Sequence, residues 1–199
     1  MEFKTKKEVD QVLSALGEQI AALGGAPVDL LVCGGSALQA LGLVGRTTKD
    51  VDIVALVSKG PEGKLHMGTA KPLPAHVEKA AKKVARDFGL MDGWLNPGPT
   101  SALDLGLPVG VLERAEARDY GRFLTVRFIS RFDQIHFKLY AAVDQGGKHY
   151  SDLLELNPSA EELEKAALWS MTHDVSEVYR QEAKRMLAGM GFKDVADRI

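Results

Sequence analysis

An apolar run at residues 28–33 constrains the fold most, because two glycines, Gly34 and Gly35, end it abruptly. A short apolar run closed by turn residues favours a buried strand over a helix. Residues 50–57 and 122–130 are also rich in β-branched and aromatic side chains, which favours two further strands. The sequence therefore predicts a buried sheet whose first strand turns sharply at the glycine pair.

Helical periodicity accounts for much of the remaining chain. Thr5 and Glu8 have the spacing of a capping box, and apolar residues then recur at helical spacing until Gly24. The same reasoning predicts further helices at residues 36–41, 74–88, 131–145, 153–156, 159–171 and 175–190. Residues 58–74 are predicted as a long loop, and a short strand is predicted near residues 109–112.

The order of these elements predicts the domain organisation. Strands come early and helices late, which is typical of an α/β unit followed by a helical region. We therefore expect a small mixed sheet flanked by helices at residues 1–147, and a helical C-terminal extension packed on it at residues 148–199. A chain of 199 residues is long enough for this arrangement but not for two full domains.

Composition excludes several classes of function. A formal net charge of −2 argues against a protein that binds duplex nucleic acid without sequence preference. Cys33 is the single cysteine, so an internal disulfide is impossible. No stretch approaches the ~18 apolar residues of a membrane span, and the charged amino terminus lacks a signal-peptide core. The sequence thus predicts a cytoplasmic protein with no membrane segment.

The turn Gly34-Gly35-Ser36 is a candidate phosphate-binding site. A strand that turns into a helix exposes backbone N–H groups, and glycine lets a phosphate approach the chain closely. Ser36 has a hydroxyl that can bind a phosphate oxygen or cap the short helix. A glycine pair at this position is also common in turns that bind no ligand. Phosphate binding is therefore predicted only if a second motif supports it.

Asp50 and Asp52 supply that second element. Two carboxylates at alternate positions of a strand project from the same face, where they repel each other unless a cation lies between them. Carboxylate oxygens suit Mg²⁺ or Mn²⁺, and a pair of such ions about 4 Å apart can activate a hydroxyl and neutralise a triphosphate. An isolated Asp-x-Asp pair is also common at an exposed strand end.

The two elements together resemble a known signature. A Gly-Ser turn followed by an Asp-x-Asp strand is similar to the DNA polymerase β-like nucleotidyltransferase superfamily. Arg46, Thr48, Asp50 and Asp52 reproduce the Arg-x-Thr-x-Asp-x-Asp run of its minimal branch, which includes the AbiEii-type toxins. The resemblance implies a nucleotidyltransferase-type α/β fold, an NTP substrate and a metal ion held by the two aspartates. It also implies that Arg46 and Thr48 help to bind the nucleotide.

The resemblance extends more loosely to Lys138 and Asp152. Lys138-Leu-Tyr-Ala141 and Asp152-Leu-Leu-Glu-Leu156 match later motifs of that branch, which implies that Lys138 binds phosphate and that Asp152 completes the catalytic centre. A salt-bridged surface lysine and a carboxylate favoured at a helix start are the structural alternatives. The predicted strand at 122–130 has no carboxylate, unlike polymerase-like members, which disfavours a three-aspartate site.

These motifs predict an enzyme that transfers a nucleoside monophosphate from an NTP to a hydroxyl acceptor. The resemblance implies tRNA or another RNA 3′ end, a protein side chain or a small molecule as the acceptor, and an antitoxin as a further partner. The basic stretch of the 74–88 helix is the first place to look for RNA contacts. The alternative is a regulatory domain of the same fold that binds nucleotides but has little catalytic activity.

Overall fold

The computed structural model describes residues 2–199 and divides into two compact units. The first ends at Ser130, and the second is Arg131–Ile199. The sequence-based boundary at 147/148 assigned the helix at residues 131–145 to the α/β part. Here that helix belongs to the second unit.

A mixed sheet of six strands forms the first unit. The strands are β1 Val28–Cys33, β2 Val51–Lys59, β3 Leu65–Gly68, β4 Leu95–Asn96, β5 Glu116–Asp119 and β6 Leu124–Phe128. Their order is β3-β2-β1-β6-β5, and the two-residue β4 pairs with the start of β2. β1 runs parallel to β6 and antiparallel to β2, so both neighbours of the central strand are fixed by long-range pairing.

The first unit also contains helices. They are α1 Lys6–Ala22, α2 Gly34–Ala40, α3 Ala75–Phe88, α4 Ala102–Leu105 and α5 Val111–Arg114, with a 3₁₀ helix at Gly98–Ser101. The predicted capping box is confirmed, because Thr5 Oγ1 accepts from Glu8 N and the Glu8 carboxylate accepts from Thr5 N. The apolar faces of α1 and α3 pack with the sheet into one hydrophobic core.

The second unit is entirely helical. Its helices are α6 Arg131–Gln145, α7 Gly147–Glu155, α8 Ala160–His173, α9 Glu177–Gly189 and α10 Lys193–Arg198. The capping box predicted at Ser159 and Glu162 is confirmed. Arg131 joins three of these helices, because its guanidinium donates to the Glu162 carboxylate at 2.6 Å and to the Leu156 carbonyl at 2.9 Å.

The predicted α/β class with a mixed sheet is confirmed. Several predictions for single elements need correction. The segment 58–74, predicted as a loop, contains β3, which pairs with the end of β2. The strand predicted near residues 109–112 is wrong, because α5 begins at Val111. The patterns of β4, β5 and α10 are too short to reveal these elements. Within residues 2–199, no helix is long and apolar enough to cross a membrane.

Candidate functional site

A β-bulge aims Asp52 away from the hydrophobic core. Leu31 pairs with Ala55 but Val32 pairs with Ile53, so Val54 is an extra residue in β2. Because side chains alternate along a strand, one inserted residue exchanges the two faces beyond it. Ile53 therefore joins the core beneath the helices, whereas Asp52 is half-buried on the opposite face.

The bulge also sets Asp52 against the glycine turn. Asp52 pairs with Cys33, the last residue of β1, so Gly34 lies beside the carboxylate. Any Cβ at position 34 would collide with Asp52 Oδ2, and the φ of Gly34 is +75°, which other residues rarely adopt. The backbone conformation and the contact with Asp52 thus each require glycine at position 34. The glycine turn and the Asp-x-Asp pair are therefore in direct contact.

Gly35 contacts the other members of the motif. A Cβ at this position would lie 2.7 Å from Thr48 Oγ1 and 3.1 Å from an Arg46 guanidinium nitrogen. The Thr48 hydroxyl in turn donates to Asp50 Oδ1 at 3.1 Å. Asp50 precedes β2 rather than belonging to it as predicted, since the strand begins at Val51. The close approach of Gly35 therefore brings a threonine, an arginine and a carboxylate to the glycine turn.

Gln39 and Phe3 hold the loop that carries these residues. The buried Gln39 amide donates to the carbonyls of Phe3 at 2.9 Å and Arg46 at 2.6 Å. Phe3 and Thr48 exchange two backbone hydrogen bonds, of 2.7 and 3.0 Å. Neither residue belongs to a recognisable motif, and both act over long sequence distances, so the sequence offered no signal for them.

Asn96, on β4, contacts Asp52 directly. Its Nδ2 donates to Asp52 Oδ1 at 2.8 Å, while its Oδ1 accepts from the backbone N of Gly98 at 2.9 Å. The sequence pattern did not identify Asn96 as a partner of Asp52, which lies 44 positions earlier. For Trp94 the sequence left two alternatives, base stacking at a pocket rim and packing in the core, and favoured the second. Packing in the core is confirmed, because Trp94 is 1% exposed and its indole donates to the Ala81 carbonyl.

Ser36 does not cap α2. The helix begins at Gly34 with Cys33 as its N-cap, so Ser36 is the third helical residue. Its side chain is fully buried, and its Oγ has no hydrogen-bond partner in the part of the chain that the structure describes. The capping alternative for Ser36 is therefore wrong, and its phosphate-binding role stays a prediction.

A third carboxylate is missing from the sheet at the level of Asp52. β6, Leu124–Phe128, has no carboxylate. Beyond its end, Ile129 is fully buried, and its backbone N donates to Val32 O at 3.0 Å. Residues 2–199 contain no group of three or more His, Cys, Asp or Glu side chains arranged to hold a metal. Metal binding by Asp50 and Asp52 stays a prediction.

Lys138 and Asp152 pair with each other in the second unit. The Lys138 ammonium is 2.8 Å from Asp152 Oδ2, and the two side chains are 5% and 1% exposed. Asp152 lies well inside α7, so the prediction that it stands at a helix start is wrong. The alternative of a salt-bridged surface lysine is confirmed for the ion pair and wrong for the surface, because the Lys138 side chain is buried. The phosphate-binding and catalytic roles of this pair stay predictions.

Two further groups of polar side chains lie outside this site. His136 and His173 pack against Trp169 in an aromatic cluster of the second unit, with ring centroids 5.7 and 4.1 Å from it. The basic side chains of α3 are all exposed to solvent, and they are Lys79, Lys82, Lys83 and Arg86. They form a solvated face that leaves the RNA prediction open.

No protein-family model, curated protein or solved structure matches this chain.

Proposed function

We propose that this chain is a metal-dependent nucleotidyltransferase with a fold of the DNA polymerase β-like type. The observation that carries the proposal is the contact between the glycine turn and the acidic run. Gly34 lies against Asp52, and Gly35 lies against Thr48, which binds Asp50. Two short motifs that are weak when separate thus meet at one place, as a site for a metal-bound triphosphate requires.

The two carboxylates fit Mg²⁺ or Mn²⁺. Mg²⁺ commonly binds proteins through one or two carboxylates and takes its other ligands from water and substrate phosphates. Asp50 and Asp52 provide such a pair, and hydrogen bonds from Thr48 and Asn96 orient them. When bound there, the cation would neutralise the triphosphate and favour ionisation of the attacking hydroxyl.

The reaction is displacement at the α-phosphorus of the NTP. The acceptor oxygen forms a bond to that phosphorus, the bond to the β-phosphate oxygen breaks, and pyrophosphate leaves. In this scheme Asp50 and Asp52 hold the cation, and Arg46 adds positive charge. Gly34 and Gly35 are buried and let Asp52, Thr48 and Arg46 lie close to the turn, and phosphate binding by their backbone stays a prediction. Lys138 and Asp152 keep the roles that the resemblance implies. An NTP substrate and one cysteine agree with a cytoplasmic setting.

A nucleotide-binding regulatory domain is the second candidate. Two observations favour it: β6 has no carboxylate, and Asp152 already forms an ion pair with Lys138. Such a domain would bind NTP and metal but transfer nothing.

Release of pyrophosphate tests the proposal. Purified protein is incubated with each NTP, Mg²⁺ or Mn²⁺, and total tRNA, protein lysate or a small-molecule extract. Wild type should release pyrophosphate, and Asp50→Asn and Asp52→Asn should lose this activity while remaining folded. Asp197→Asn, at an exposed position of α10, is the matched control and should be fully active. Metal-dependent NTP binding without any pyrophosphate would favour the regulatory candidate.

A growth assay tests the proposed toxin role. Expression of the wild type in bacteria should arrest growth, and expression of Asp52→Asn should not. Equal growth of the two cultures would remove the toxin and its antitoxin partner from the proposal without affecting the enzymatic assay.

A further inference from the structure

β4 is only two residues long, yet its position is fixed from both sides. Before it, Trp94 is buried, and its carbonyl accepts from Val51 N at 2.6 Å. After it, the buried Thr100 hydroxyl accepts from Ala70 N at 2.9 Å. Because two buried residues anchor the segment, the side chain between them is held in place.

The orientation of the Asn96 amide follows from its neighbours. A backbone N–H can only donate, so the bond from Gly98 N requires the Asn96 oxygen on that side. The amide nitrogen must then face Asp52, where it donates at 2.8 Å. The Gly98 N–H therefore fixes the orientation of the amide, and the contact with Asp52 is a hydrogen bond from nitrogen to carboxylate.

The pairing of β4 with β2 places Asn96 at the start of β2, beside Asp52. Leu95 pairs with Val51 and Asn96 with Asp52, so the two side chains stand next to each other on neighbouring strands. Gly34 meets the other carboxylate oxygen, Oδ2, while Asn96 binds Oδ1. Both oxygens of the Asp52 carboxylate are therefore in contact with protein. Oδ1 accepts a hydrogen bond from Asn96 on the neighbouring strand β4, and Oδ2 lies against Gly34.

We propose that Asn96 is a positioning residue for Asp52, which sets the carboxylate for metal binding. This inference rests on the proposed function. A carboxylate that binds a metal is commonly oriented by a hydrogen bond outside the coordination sphere, and losing that partner weakens metal binding by about 10- to 100-fold. Asn96 has the donor, the distance and the anchored backbone for this role.

Mn²⁺ binding, followed by the electron paramagnetic resonance of the free ion, tests the inference without turnover. Asn96→Ala should raise the Mn²⁺ dissociation constant by about 10- to 100-fold. Thr100→Val is the matched control, because it removes a buried hydrogen bond from the same segment but does not touch Asp52. Both variants should unfold at a lower temperature than wild type, and Thr100→Val should keep wild-type Mn²⁺ affinity.

Three results would overturn the inference in distinguishable ways. Equal affinity in wild type and Asn96→Ala would show that Asn96 does not position the metal ligand, and would leave the proposed function intact. An equal loss in Thr100→Val would reduce the effect to general stability of the segment. A wild type that binds no Mn²⁺, or one that binds it with an affinity that Asp52→Asn does not alter, would overturn both proposals together.

Discussion

Breaking the buried ion pair of the second unit should destabilise it strongly, but removing both partners should not. Lys138 and Asp152 are 2.8 Å apart, with side chains 5% and 1% exposed. Replacing one leaves the other charge buried without this partner, a loss of about 3 to 5 kcal/mol. Lys138→Met and Asp152→Leu should each show that loss, whereas the double variant should lie near wild type or above it.

Urea unfolding monitored by Trp169 measures this cycle. The chain has two tryptophans, and only Trp169 lies in the second unit, packed 4.1 Å from the His173 ring. In a Trp94→Phe background its emission therefore reports that unit alone. With a slope of about 1.5 kcal/mol per M, each single substitution should lower the urea midpoint by about 2 to 3 M.

Single variants that shift the midpoint by less than about 0.5 M would refute the reasoning, because a solvated pair contributes little. The double variant also separates two roles for Lys138. If the pair is structural only, the folded double variant keeps the NTP affinity of wild type. If Lys138 binds phosphate, that affinity falls although the fold is intact.

Three further substitutions test other parts of the account. Gly34→Ala should reduce NTP turnover by about 100-fold with the fold retained by circular dichroism, because its Cβ displaces the Asp52 carboxylate; near-normal turnover would contradict the geometry. Gln39→Leu should lower stability by about 1 to 3 kcal/mol in urea, since two carbonyls lose their donor. The Arg131 guanidinium lowers the pKa of Glu162, so this carboxylate stabilises the second unit above the usual glutamate pKa and loses that effect as pH falls through its lowered value. Urea midpoints of Glu162→Gln should therefore change less between pH 7 and pH 3 than those of wild type, and parallel changes would count against this pair.

Local patterns predicted the longer elements well. The capping boxes at Thr5 and Ser159 marked two helix starts, and the apolar run 28–33 matched β1. These signals succeed because a cap or a buried face is encoded within a few neighbouring residues. β4 failed for the opposite reason, since two residues carry no periodicity and form a strand only where β2 is already present.

The contact between the two sequence motifs could also be predicted from local patterns. The motif residues are close in sequence, so the glycine turn and the Asp-x-Asp pair could be read together. The bulge at Val54 could not be predicted from the sequence. An apolar residue at this position is compatible with a regular strand and with a bulged one, and only the pairing with β1 distinguishes the two. Asn96 was missed as a partner of Asp52 because their hydrogen bond joins residues 44 positions apart.

The most direct test of the central claim follows two labels on the same nucleotide. Protein, Mg²⁺ or Mn²⁺ and an acceptor pool are incubated in parallel with α-labelled and γ-labelled NTP, with Asp52→Asn beside the wild type. The account predicts α-label on the acceptor and γ-label in pyrophosphate, in the wild type only. Transfer of the γ-label to the acceptor, or identical results for wild type and Asp52→Asn, would contradict it.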